Sequence, residues 1–256
     1  MTIITAISNQ KGGVAKTTTC VNLAASLSIG YKKKILVIDL DPQANATMGS
    51  GVNKNTLTLS NYDLFCHKVK IKEVLLRNTP AGYDLLPANN DLTAATVHLT
   101  RMDQSQQILK QTLAEMKNAY DAIIIDCPPA LNMLTLNALT AADNLVIPMQ
   151  CEYYALEGLT DLLDTIENVK ARINPNLYID GLLRAMCDMR NSLTKQVSDQ
   201  LIAYFGSQVY QTIIPRNVRL AEAPSHGLPI IRYDKSSIGN KAYVNFAREY
   251  KKRHLV

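Results

Sequence analysis

Tryptophan is absent from this chain, and phenylalanine occurs only three times in 256 residues. So thin an aromatic supply argues against a stacking platform for single-stranded nucleic acid, which needs exposed rings along a groove. Cysteine is sparse too. The five thiols, Cys20, Cys66, Cys127, Cys151 and Cys187, are odd in number and never spaced C-x-x-C. That usage speaks against a disulfide framework or a zinc knuckle and fits a reducing compartment. No apolar run approaches the ~20 residues that a bilayer-spanning helix requires, and no signal peptide opens the chain. A cytoplasmic protein is expected. Internal repeats, low-complexity tracts and long linkers are also missing. A single α/β domain over 1–256 is therefore expected, with no helix-turn-helix domain ahead of it.

What is present is unevenly spread. From Arg184 to the end there are 12 Lys/Arg against 5 Asp/Glu, a net of +7. Met1 to Leu183 holds 15 against 17, a net of −2. A basic face contributed by the C-terminal third suits a polyanion. The terminal Lys251-Lys252-Arg253 run taken alone reads equally well as a solvated surface.

Apolar runs alternate with helical patterns along the chain. Ile3–Ile7, Ile35–Ile38, Ala122–Ile125 and Leu145–Ile147 are continuous rather than alternating, as in parallel strands covered on both faces. Strands are also expected at Tyr83–Leu86, Ile179–Met186 and Val209–Ile214. Helical spacing marks Ile71–Leu76, Leu92–Leu99, Ile108–Met116, Leu134–Leu139, Tyr154–Ile173, Leu193–Phe205 and a closing helix over Gly239–Arg253 with Val244, Ala247 and Tyr250 inward. Gly30 is placed as the C-cap of the first helix, and Asn45–Asn61 reads as a surface loop. The alternation predicts a doubly wound, mostly parallel sheet flanked by helices.

Such a sheet binds ligands outside the carboxyl ends of its strands, and chemistry-bearing residues fall there repeatedly. After the first strand comes Ser8–Thr19, SNQKGGVAKTTT, leading into a helix. Backbone N–H groups in a glycine loop form an anion-sized concavity, and the helix start adds its unpaired donors. Lys16 can place its ammonium on terminal phosphates, Thr17 can ligate Mg²⁺, and Thr18 can bond a further phosphate. An ordinary phosphate loop would carry glycine at positions 10 and 15, where this chain has Gln10 and Ala15. After the later strands come Asp39 and Asp41 in IDLDPQ, Asp126 in IIIDCPP, Asp188 and Arg190, and Pro215-Arg216-Asn217. Asp126 reads as a Mg²⁺-holding aspartate, binding directly or through water.

The loop resembles the deviant Walker A loop, K-G-G-x-G-K-[ST]-T, of the ParA/MinD/Soj ATPases, with Ala15 replacing its last glycine. IDLDPQAN, IIIDCPP, Gln150–Leu159 (QCEYYALEGL) and Ile214–Ile230 (IPRNVRLAEAPSHGLPI) extend the likeness to the chromosomal ParA/Soj subgroup almost end to end. The resemblance implies ATP and Mg²⁺ as ligands. ATP would sit on Lys11, Gly12, Gly13, Val14, Ala15, Lys16, Thr17 and Thr18, with Pro215 and Asn217 at the adenine. It implies that Lys11 crosses a dimer interface to the partner subunit's nucleotide and that Asp41 orients the attacking water. Asp39 is a supporting carboxylate and the lesser candidate for the metal. It also implies that Arg190 and Arg219 contact duplex DNA without reading sequence. Lys195, Arg216, Lys241, Arg248 and Lys252 are further candidates from the basic third. The implied partners are a second copy of the chain, double-stranded DNA and a ParB-like centromere-binding protein that stimulates slow hydrolysis, in a nucleoid-associated setting. The alternative is a MinD-like membrane-cycling ATPase, which would need a free amphipathic C-terminal helix. An iron–sulfur reading, prompted by Cys127 beside Asp126, is set against ordinary packing of that thiol.

Overall fold

The computed structural model describes every residue except Met1, Lys117, Tyr153, Tyr154 and Val256, with the backbone alone described for residues 155–158. Among the described residues seven strands form one sheet: β1 (Ile3–Ile7), β2 (Ile35–Asp39), β3 (Asp84–Leu86), β4 (Ala122–Asp126), β5 (Asn144–Met149), β6 (Tyr178–Cys187) and β7 (Val209–Pro215). Their order is β3-β2-β4-β1-β5-β6-β7, and every neighbouring pair is parallel. The "mostly parallel" expectation is thus met by a wholly parallel sheet. The chain runs to one side after β1 and to the other from β5 onward, so the carboxyl end of β1 lies at the topological switch point.

Continuous apolar runs are explained by burial on both faces. Leu36 and Ile38 belong to one core with Ile123, Ile125, Leu145 and Ile147. Ile35 and Val37 belong to the other with Ile124, Val146 and Leu183. Successive side chains point to opposite faces, so neither face can spare an apolar position. The second core is closed by the Ile238–His254 helix, which buries Tyr243, Phe246, Ala247 and Tyr250 completely and packs Val244 partly. Its tyrosines keep partners: Tyr250 shares a hydrogen bond with Thr5 Oγ1 at 2.5 Å, and Tyr243 one with Thr19 Oγ1 at 3.2 Å.

Three local expectations are corrected. Asn45–Asn61 is no plain surface loop: helical Asn45–Gly49 buries Ala46 and Thr47, and Ser50 is buried beside it. Gly30 is not a left-handed cap. The first helix, Lys16–Ala25, runs on as a π-turn through Ser26–Gly30, and Lys32 takes the left-handed conformation at φ 56°. β5 extends through Pro148, although proline removes a ladder donor. Pro148 pairs with Leu183 of β6, and its carbonyl accepts from Asn9 Nδ2 at 2.9 Å. The helix expected from Tyr154 is described from Ala155 to Arg172; Tyr154 lies outside the described residues, and so does the Leu156 side chain.

Candidate nucleotide-binding site

The loop after β1 is held from both sides. Asn9 Oδ1 accepts from the Lys11 N–H at 3.0 Å, and Gln150 Nε2 donates to the Gly13 carbonyl at 3.1 Å. Gly13 is left-handed at φ 72°, a conformation glycine adopts freely. A Cβ on Gly12 or Gly13 would meet nothing within 4 Å, so the loop borders open space. Ala15 is left-handed as well, at φ 69° and ψ 29°, and its carbonyl accepts the first helical bond from Thr19. The glycine missing from the sequence pattern is therefore missing where the backbone most wants one.

Lys16 is buried, and its ammonium donates to the Lys11 carbonyl at 3.0 Å. Burial lowers its pKa, against the opposing pull of Asp126. Lys11 is more exposed, and its ammonium pairs with Glu152 at 2.8 Å within the same chain.

Register brings the carboxylates together, because Asp39 at the end of β2 lies opposite Asp126 at the end of β4. Both are fully buried. Desolvation raises both pKa values, that of Asp39 to about 6, and the charge of Asp39 raises Asp126 further. Thr17 Oγ1 donates to Asp126 Oδ2 at 2.7 Å, while Asp126 Oδ1 is buried without a partner. A hydroxyl beside a carboxylate with an unspent oxygen is the hard-oxygen donor set that Mg²⁺ takes. The residues fit the metal.

Asp39 Oδ2 accepts from both the backbone and the hydroxyl of Thr47 at 2.7 Å, and its Oδ1 accepts from the Asp41 N–H at 3.1 Å. Both oxygens accept inside the protein, and one of these bonds fixes the backbone of Asp41. Asp41 is partly exposed and accepts from the Gln43 N–H at 2.9 Å.

A cavity of about 720 Å³ joins these parts. Gly12, Gly13, Ala15, Lys16, Thr17 and Thr18 form one wall, Asp41 another, and Pro215 and Asn217 a third. Val14 points its side chain into the protein, 1% exposed, so only its backbone can serve a ligand. Asn217 Oδ1 is buried with no partner, close against Gly239. Sequence reasoning did not foresee Gln43, Asn45, Met186 or Tyr243 in the lining, nor Gln150 and Glu152 as holders of the loop. Met186 and Ala44 adopt positive φ, at 55° each, beside this site. An alternating pattern of residue types carries no trace of such strain.

The basic candidates divide. Arg190, Arg216 and Lys241 line one groove of about 770 Å³. Arg248 and Lys252 line a second of about 660 Å³ that shares Thr212 and Asn245 with the first. Arg219 and Lys195 line neither. Arg190 donates through Nε and Nη2 to the two oxygens of Asp188, whose carboxyl it holds down at about 2. Arg219 pairs with Glu222 at 2.9 Å and lies 3.6 Å from Asp234. Arg253 lies over the Tyr210 ring at 4.0 Å and donates to the Asp180 carbonyl, so this member of the terminal basic run serves the core. Cys127 is buried beside the site, in keeping with ordinary packing. Among the described residues no helix is long and apolar enough to cross a membrane.

Comparison with known proteins converges on one group. A family profile described as "AAA domain" matches residues 1–179. Sporulation initiation inhibitor protein Soj of Bacillus subtilis is 48% identical over 96% of this chain and 97% of its own. Chromosome partitioning protein ParA of Myxococcus xanthus is 47% identical over 98% of this chain and 88% of its own. Among solved structures, cobyrinic acid a,c-diamide synthase of Mycobacterium smegmatis, with bound ADP and magnesium, superposes with a TM-score of 0.85. It is 35% identical and covers 97% of this chain and 93% of that one.

Proposed function

Because the chain belongs to the Soj/ParA family of chromosome-partitioning ATPases, we propose that it is an ATP-driven dimerisation switch that grips duplex DNA and lets go on hydrolysis. The observation that carries this reading is one cavity lined by Lys16, Thr17, Asp41, Pro215 and Asn217, with Asp126 bonded to Thr17 behind that wall.

Each residue has a task that its position allows. Loop N–H groups and the Lys16 ammonium bind the phosphates; the burial that lowers the pKa of Lys16 is offset once a polyanion adjoins it. Thr17 and Asp126 would hold Mg²⁺, which when bound neutralises charge developing on the phosphates. Asp41, fixed through its backbone by Asp39, orients water for in-line attack. Pro215 and Asn217 take the base. Lys11 leaves Glu152 and supplies positive charge to the nucleotide of a second copy, in the manner of an arginine finger.

Dimerisation would double the basic surface of Arg190, Arg216, Lys241, Arg248 and Lys252 against one duplex. Contacts of this kind are with phosphates and carry no sequence preference. A ParB-like partner would accelerate hydrolysis, and the protein would be found on the nucleoid. A membrane-cycling role is less well supported, since the closing helix spends its apolar residues on the core. Asp41→Ala is expected to cut ATP hydrolysis about 100-fold while retaining nucleotide binding. Hydrolysis at the unaltered rate in that variant, followed by phosphate release, would remove Asp41 from the mechanism.

A further inference from the structure

Cys151 and Cys187 lie one after the end of β5 and one at the end of β6, with sulfurs 3.6 Å apart. Both are free thiols and both are only 4% exposed. A pocket of about 300 Å³ lies against the pair, lined also by Gln150, Glu152, Met186 and Arg216. Glu152 and Arg216 are exposed, so the pocket opens to solvent and admits a small oxidant. Adjacent strands run ~4.8 Å apart, within the range of Cα separations that a disulfide bridges. Closing the bond needs the sulfurs to approach by roughly 1.6 Å, to about 2.05 Å, and at two side chains only 4% exposed part of that approach is passed to the strand ends that carry them.

We propose that Cys151 and Cys187 are a reversible thiol–disulfide pair, oxidised by hydroperoxide, that loosens the nucleotide site next to it. Cys187 is the attacking sulfur. Hydrogen bonding with the Cys151 thiol and the charge of nearby Arg184 hold its pKa below the ordinary thiol value. Its thiolate attacks the peroxide, the O–O bond breaks, and hydroxide leaves to take up a proton as water. Cys187 is then a sulfenic acid. Cys151 sulfur attacks it, the S–S bond forms, the S–OH bond breaks, and a second water leaves with the Cys151 proton. One peroxide is reduced and two thiols are oxidised; a dithiol reductant reverses the change. A transient bond of this kind is compatible with a reducing compartment.

The pair sits between the two halves of the cavity. Gln150, next to Cys151, holds the Gly13 carbonyl, and Glu152 on its other side holds Lys11. The carbonyl of Cys187 accepts from the Arg216 N–H at 3.2 Å, and Cys187 is in register with Pro215. Drawing the sulfurs together therefore moves the phosphate loop's support relative to the base-binding segment. This coupling rests on the nucleotide reading above; formation of the bond does not.

The test treats the full-length protein with hydrogen peroxide, blocks free thiols with N-ethylmaleimide and maps peptides without reductant. A Cys151–Cys187 linked peptide is expected, absent after dithiothreitol. Cys151→Ser should instead accumulate a sulfenic acid at Cys187, trapped by dimedone. Failure to find the linkage, or modification confined to Cys66, overturns the thiol pair. Fluorescent ATP should bind the oxidised protein at least about fivefold more weakly than the reduced, a loss of about 1 kcal/mol. Equal affinities overturn the coupling. Should the reduced protein bind no nucleotide, the functional reading fails while the linked peptide still decides the chemistry.

Discussion

At the scale of single residues, Ala15 is the most informative. Its methyl stands at a left-handed position that costs an L-residue roughly 1–2 kcal/mol, and it borders the cavity. Ala15→Gly is expected to tighten nucleotide binding about threefold or more, or ~0.7 kcal/mol, by letting the backbone approach the phosphates. Titration with a fluorescent ATP analogue measures it, and an unchanged or weaker affinity would show that the methyl is harmless there. The position was legible from residue types alone, because the loop pattern points to the missing glycine. Asp39 was not. Its Oδ2 accepts twice from Thr47, eight residues on, in a segment whose polar composition reads as solvent-facing. Composition reports what side chains can do with water, and is silent when they bond one another in the interior.

At the scale of elements, the strands were visible because burial on both faces leaves an uninterrupted apolar run. Their order was not, since pairing of β4 between β2 and β1 depends on contacts far apart in sequence. The closing helix shows the limit well. Spacing placed Val244, Ala247 and Tyr250 inward, yet Val244 is only partly buried while Tyr243 and Phe246 are fully so. That breadth of buried face reflects a helix wedged against both the sheet and the first helix. Phe246→Ala should cost ~3–5 kcal/mol through lost burial and the cavity left behind. Tyr250→Phe, which removes only the hydroxyl bonded to Thr5, should cost about 1 kcal/mol. Urea unfolding of the two variants gives the comparison. Similar losses for both would mean that the hydroxyl pair, rather than the packed rings, anchors this helix.

At the scale of the molecule, charge and topology meet. The basic third of the chain builds grooves beside the nucleotide cavity, and Pro215 and Arg216 line both the cavity and the first groove. The proposed nucleotide and polyanion sites thus share walls, a short physical path for coupling. In the single chain Lys11 is neutralised by Glu152, so the charge proposed to complete a second copy's site is held in reserve. The direct measurement is molar mass by light scattering on the purified protein, with ATP and Mg²⁺ against ADP and Mg²⁺. A rise from 28.3 kDa to about twice that value with ATP alone, abolished in Lys11→Ala, is the predicted result. A mass that stays at that of one chain under saturating ATP and Mg²⁺ would contradict it.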